Sequence, residues 1–183
     1  MLFRSEYTSV FINDTSVKNR LTGVGVLSRE DAEALCTVGP MARASGLRQD
    51  MRLAGEGKYL ELGFEPVLEE AGDCMARCKV RIGELLQAID IIEKAVAQIP
   101  DGDIAVAVKG NVDGEFINRL EQPRGEAFYY CKGQGTKFLE RIRVRTPTNM
   151  NIPAMVKILQ GCDLADVPMI VLTIDPCISC TER

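Results

Sequence analysis

Apolar and polar residues alternate with two different periods along the chain. Between Asp73 and Ile99, the residues Cys78, Ile82, Leu85, Ile89, Ile92, Val96 and Ile99 recur at alternating spacings of four and three. A helix turning once every 3.6 residues brings such positions onto one stripe. Asp73 stands where an N-cap is needed, and Pro100 where a helix must stop. At about 1.5 Å per residue this helix is about 40 Å long. A stripe of that length needs partner helices, so the first half is expected to form a small bundle. Ahead of it, residues 5–22 carry a weak helical pattern broken at Asn13-Asp14, and Thr22 to Leu27 is a glycine-punctuated extended segment. Ser28 with Asp31 suits the start of a short helix reaching Leu35. Gly39-Pro40 stops that helix, leaving Gly39 to Gly46 as a loop that carries Arg43.

Beyond residue 126 the pattern shortens. Ala127 to Cys131 reads as a strand, Lys132 to Thr136 as a glycine-rich turn, and Lys137 to Arg145 as the antiparallel partner. Phe138, Ile142 and Val144 alternate with Arg141, Arg143 and Arg145, while Leu139 and Glu140 break the alternation as a β-bulge does. The arginine row reads as a solvated or subunit-facing strand face. An asparagine-rich stretch after Thr146-Pro147 leads to Pro153, which suits the first turn of a helix ending at Gly161. A last apolar segment, Met169 to Thr173, delivers the chain to Asp175-Pro-Cys-Ile-Ser-Cys180. The expected fold is α+β in one domain spanning 1–183: a helical bundle around the helix at about 74–99, with a small antiparallel sheet at about 127–145.

Composition narrows the chemistry more than the fold. With 46% apolar and 26% charged residues, the 183-residue chain is neither disordered nor collagen-like. A net charge of −4 gives no basis for nucleic-acid binding through phosphate neutralisation. There is no histidine. That removes Ser-His-Asp and Cys-His catalysis and every imidazole metal site, so any metal must be held by thiolates or carboxylates. Seven cysteines, an odd number without a secretory segment, fit a reducing compartment better than a disulfide framework. The apolar run Val167 to Ile174 is too short to cross a bilayer, and a cytoplasmic location is expected.

The pair Cys177 and Cys180 admits four readings: redox dithiol, half of a zinc site, half of another metal site, or structural thiols. A redox dithiol needs a following helix to lower the first thiol's pKa, and only Thr181, Glu182 and Arg183 remain. A zinc site needs four ligands, and Cys74 with Cys78 is the other close pair. Those two share a helical face on or beside the apolar stripe, where small buried hydrophobes are the plain explanation. Cys36, Cys131 and Cys162 stand alone and read as structural. Pro176 stiffens the backbone ahead of Cys177, which suits a soft-metal site whose other ligands lie elsewhere.

These residues carry a resemblance. Asp175 to Arg183 resembles the C-terminal signature of the large subunit of [NiFe] hydrogenases. Glu121-Gln-Pro-Arg-Gly-Glu126 resembles that family's EAPRG segment, and Arg143 to Pro147, Asn149 and Gly161 to Asp166 resemble the stretch leading to the terminal cysteines. Thr22 to Val26, Gly39 to Gly46 and Gly72-Asp73 fit as well. Together they resemble the energy-converting, membrane-associated (Ech-like) branch, whose relative is the quinone-site subunit of respiratory complex I.

The resemblance implies a NiFe(CN)2CO centre in the intact subunit, held by four thiolates. Cys177 matches the terminal nickel ligand and Cys180 a bridging one. Arg124 matches an arginine over the open metal position, where a permanent charge steers H2 heterolysis. Asp175 would lie beside Arg124, and Glu126 would relay protons, which needs a carboxylate of raised pKa. The resemblance further implies an iron-sulfur partner fed by ferredoxin, membrane subunits, and a peripheral place on the cytoplasmic face.

Two departures matter. The family's other CxxC is absent, so this chain matches the C-terminal part of a large subunit and is not expected to retain the centre or be active alone; its missing N-terminal portion becomes a partner. Tyr129 stands where many relatives have histidine. An end at Arg183 is what a processed or an extension-free subunit would show. The rival readings are a non-catalytic complex I-like scaffold without nickel, and a zinc protein using cysteines 74, 78, 177 and 180.

Overall fold

The computed structural model describes residues 6, 8–55 and 57–182. A π-helical segment, Thr8–Asn13, runs into α1, Thr15–Leu21. The join falls at Asp14, whose carboxylate accepts from the N–H groups of Ser16 and Val17 at 2.8 and 3.0 Å. Ser28 caps α2, Arg29–Ala34, by accepting from the Asp31 N–H at 3.0 Å. Between them, Thr22 to Leu27 turns rather than extends, with Gly23 and Gly25 at positive φ. A local run of valines and glycines leaves strand and turn equally open, and here no neighbouring strand offers a ladder.

Residues 39–46 are not a plain loop. Pro40–Arg43 forms α3, one helical turn with Pro40 at its start. Arg43 is fully buried rather than carried on a surface loop.

The long helix forms as its pattern predicts: α4 spans Cys74–Gln98. Asp73 caps it by accepting from the Ala76 N–H at 2.7 Å, and its other oxygen accepts from the Gly23 N–H at 2.8 Å, tying the cap to the preceding loop. The stripe is covered only near its start. Cys74, Met75, Ala76, Val80 and Ile82 are buried, whereas Ile92 and Val96 are 60% and 68% exposed. Periodicity marks which face is apolar, not what covers it.

The sheet is larger than expected. β1, Val112–Gln122, β2, Gly125–Thr136, and β3, Leu139–Arg145, pair antiparallel in the order β1-β2-β3. Lys132 to Thr136 is strand rather than turn. Lys132 pairs with Arg141 and Gly133 with Leu139, which leaves Glu140 as the extra residue of a bulge. Pairing of Gln122 with Gly125 makes Pro123-Arg124 a two-residue hairpin tip.

α5, Pro147–Leu159, begins at Pro147, six residues before the expected start. Pro153 lies inside it, and Asn149 to Ile152 is helical rather than loop. Asn151 anchors α5 by accepting from the Val38 N–H at 3.0 Å and donating to the Val38 carbonyl at 3.1 Å. α6, Val167–Ile174, and a one-turn α7, Ile178–Thr181, end the chain. Leu27, Met41, Cys74, Ala154 and Ile170 meet in the core, where α3, α4, α5 and α6 converge. The architecture is α+β.

Candidate functional site

Three segments far apart in sequence meet at Asp175. It closes α6 in the left-handed region, at φ 58 and ψ 58, a conformation that aspartate tolerates better than most residues. Arg124 reaches it from the β1-β2 tip, donating from Nε to the Asp175 carbonyl at 2.8 Å and from Nη2 to Oδ1 at 3.1 Å. Arg81 reaches it from α4, with Nη1 3.5 Å from Oδ2 and Nη2 donating to the Ile174 carbonyl at 2.9 Å. Asp175 therefore lies between two guanidiniums, and its Oδ2 is also 3.1 Å from Arg124 Nε.

The tip that delivers Arg124 packs on the loop before α3. A Cβ on Gly39 would stand 2.3 Å from the Arg124 carbonyl oxygen, and one on Gly125 2.8 Å from the Gly39 nitrogen. Only glycine allows backbones this close, and both positions have φ values that disfavour a side chain.

Cys177 and Cys180 lie half-buried on the next turn of chain. Thr148 accepts from the Cys177 N–H at 3.2 Å, and Thr146 donates to the Cys180 carbonyl at 2.5 Å, so the start of α5 positions the pair. Cys177 Sγ lies 3.1 Å from Ser179 Oγ. The Ser179 hydroxyl, followed by Cys180 and then the charge of Arg124, brings the Cys177 thiol down to about 7. Burial pushes the Cys180 thiol up, with Cys177 adding to the rise. Two adjacent sulfurs, one poised near neutrality to be a thiolate beside a permanent cation, are a donor pair suited to a soft metal. Thr148 and Pro176, which flank the Cys177 backbone, line a cavity of about 190 Å³ together with Asn151, Ile152, Met155 and Val171.

The zinc reading is not supported. Cys74 is fully buried and occupied elsewhere, accepting from Arg77 Nη2 at 3.2 Å and lying 3.5 Å from Thr173 Oγ1. Among the described residues no three Cys, His, Asp or Glu side chains group as a metal site. A helix does follow Cys177, contrary to expectation, but it is a single turn.

Glu126 departs from its expected electrostatics. It is buried, and Arg119 donates to both its oxygens at 2.8 and 2.9 Å while Arg145 donates to Oε1 at 2.9 Å. The Arg119 hydrogen bonds outweigh burial and hold its carboxyl below the usual carboxylate range. A group locked as an anion by two arginines does not supply the raised pKa that a relay needs. Arg145 thereby acquires a partner within the arginine row.

The carboxylate pushed upward is Glu121. Burial raises it, against the opposing charge of Arg43. Arg43 donates from Nη1 to Glu121 at 2.8 Å and from Nε to Glu84 at 2.6 Å, and its Nη1 is 2.9 Å from Asp50. This buried cluster is absent from the expected site residues. The signal for it is the lone charge within Pro40-Met-Ala-Arg-Ala-Ser-Gly46, a run otherwise small or apolar.

Residues 3–112 and 108–183 match the family model described as the 49 kDa subunit of respiratory-chain NADH dehydrogenase. Subunit alpha of a membrane-bound hydrogenase from Pyrococcus furiosus is 39% identical over 95% of this chain and 45% of its own length. A carbon monoxide-induced hydrogenase from Rhodospirillum rubrum is 41% identical over 98% of this chain and 50% of its own length. The chain thus spans about half the length of these curated relatives. A chain from the structure of the membrane-bound sulfane sulfur reductase, an archaeal respiratory membrane complex, superposes with a TM-score of 0.89 at 28% identity, covering 99% of this chain and 52% of the other. Among the described residues no helix is long and apolar enough to cross a membrane. With its fold, its terminal thiol pair and these matches in agreement, the chain belongs to the family of the 49 kDa subunit of respiratory-chain NADH dehydrogenase, which unites hydrogenase large subunits with their complex I relatives.

Proposed function

We propose that this chain forms the nickel-site portion of the large subunit of an energy-converting [NiFe] hydrogenase, catalysing 2H⁺ + 2e⁻ ⇌ H2 within a larger complex. The observation that carries the reading is the juxtaposition of Cys177 and Cys180 with the Arg124-Asp175 pair. Hydrogenase relatives at 39% and 41% identity support it. Cys177 and Cys180 would supply two thiolates to a NiFe(CN)2CO centre, with the other two from the portion of the subunit outside this chain. The bound centre would supply the place where H2 is formed and cleaved. Arg124 presents a permanent positive charge beside the thiols, which favours developing negative charge there and requires no reorganisation during the reaction. Asp175 fixes the orientation of that guanidinium, and Arg81 holds the Asp175 carboxylate from its other side.

Electrons arrive from ferredoxin through an iron-sulfur subunit, and membrane subunits anchor the assembly, leaving this chain peripheral on the cytoplasmic side. The test is nickel content and H2 evolution of the purified complex with Cys177→Ser and Cys180→Ser. Loss of both properties supports the reading, and retained turnover in either variant contradicts it. The likeness to a sulfane sulfur reductase chain favours a second reading, a complex I-like subunit working without nickel. A fully matured complex free of nickel would establish that alternative.

A further inference from the structure

A second ionic cluster lies where α3, the 3-10 turn Met51–Ala54, α4 and the end of β1 meet. Asp50, Glu84 and Glu121 face the guanidiniums of Arg43 and Arg52. Glu121 Oε2 also accepts from the Met51 N–H at 3.1 Å. Burial works against ionisation of Glu121, with the charge of Arg43 opposing it and that of Asp50 adding to it. Arg43 is fully buried, and its Nη2 finds no acceptor among the described residues.

Beside this cluster opens a cavity of about 350 Å³, whose lining includes Arg52, Arg81, Glu84, Leu85, Glu121 and Pro123. That volume admits water, and Arg52, Arg81, Glu84 and Glu121 supply polar partners for it on otherwise largely apolar walls. Arg81 borders this cavity and also contacts Asp175 and the Ile174 carbonyl. The cavity therefore connects the edge of the thiol site to Glu121, which stands three residues before Arg124 on the same hairpin.

Building on the hydrogenase reading, we propose that Glu121 is the proton-exchanging carboxylate of this subunit, passing protons between solvent and the Asp175-Arg81 edge of the site through the α4 cavity. For H2 formation, a proton leaves the Glu121 carboxyl toward the site and is replaced from solvent. Each H2 takes two such transfers and two electrons, delivered one at a time by an iron-sulfur donor. H2 oxidation runs the same transfers backwards, and the protein undergoes no net redox change. The groups facing Glu121 are Arg43 from α3, Asp50 and Arg52 around the 3-10 turn, Tyr59 from the following loop, and Arg81 and Glu84 from α4. The upward shift that burial imposes on Glu121 agrees with this role, whereas the shift of Glu126 runs the other way.

The test uses the assembled complex, following the carboxylic-acid C=O infrared band and the pH profile of H2 evolution in wild type, Glu121→Gln and Glu121→Asp. An acid band that persists above the ordinary carboxylate range in wild type and is missing in E121Q supports the proposal. E121Q is expected to lose about tenfold or more in H2 evolution, with nickel content retained and the alkaline decline flattened. E121D restores a titrating limb. A wild type without that band, or an E121Q profile matching wild type, overturns it. If E121Q does not assemble, the wild-type band and its shift in D2O decide. C177S keeps the two readings apart: surviving turnover there defeats the hydrogenase reading, whereas a dead C177S with an unaltered E121Q defeats only the role of Glu121.

Discussion

Gly39 and Gly125 lie back to back, and each occupies the space where the other's side chain would be. A Cβ on Gly39 meets the Arg124 carbonyl oxygen at 2.3 Å, and one on Gly125 meets the Gly39 nitrogen at 2.8 Å. Gly39→Ala must push the hairpin tip away, because the obstructing atoms are backbone. Positive φ at Gly39 adds strain. G39A is expected to cost about 2–4 kcal/mol of stability, measured by chemical denaturation. It should also lower H2 turnover in the complex about 100-fold, since a shift of about 1 Å at Arg124 is enough.

Arg124→Lys separates charge from geometry. Lysine keeps the positive charge but loses the fork that engages both the carbonyl and the carboxylate of Asp175. H2 turnover of R124K is expected to fall about 100-fold or more at wild-type nickel content. Equal loss of nickel and turnover would instead mark Arg124 as a determinant of metal retention.

Glu126 gives a pH signature. Its folded pKa lies below the unfolded value, so its stabilisation is present above the unfolded pKa and is lost as pH falls through the folded one. At neutral pH, Glu126→Gln should destabilise the chain by about 1–2 kcal/mol, a cost that solvent screening of the half-exposed Arg119 and Arg145 keeps small. Denaturation midpoints of E126Q and wild type should converge on acidification below the ordinary carboxylate range. A gap independent of pH would contradict the ionised clamp.

Arg43→Ala removes the cation that three carboxylates share. Breaking a buried pair from one side leaves uncompensated charge, and the expected loss is about 3–5 kcal/mol in thermal or chemical unfolding. Acid should narrow the gap as Glu121, whose carboxyl burial holds above the usual range, takes up a proton.

What could be read directly from sequence had local causes. α4 was legible because Asp73 and Pro100 bracket an unbroken 4-3 repeat, and the terminal thiols because a short motif holds both. β1 was not, because Asp113, Glu115, Asn118 and Arg119 interrupt its apolar residues and most of the strand is solvated, which removes the period-2 signal. Arg43 looked like a loop residue because its partners Glu84 and Glu121 are 41 and 78 positions away. The opposite shifts of Glu121 and Glu126 depend on strand register and on what α3 and α4 bring to the sheet. Neither is written within a few residues of the carboxylates themselves.

The central claim is that Cys177 and Cys180 hold part of a nickel-iron centre. Infrared spectroscopy of the purified, fully matured complex tests it most directly. The expected spectrum shows metal-bound carbon monoxide and cyanide bands that vanish in the Cys177→Ser complex. A wild-type complex without those bands would contradict the claim, as would a Cys177→Ser complex that retains them.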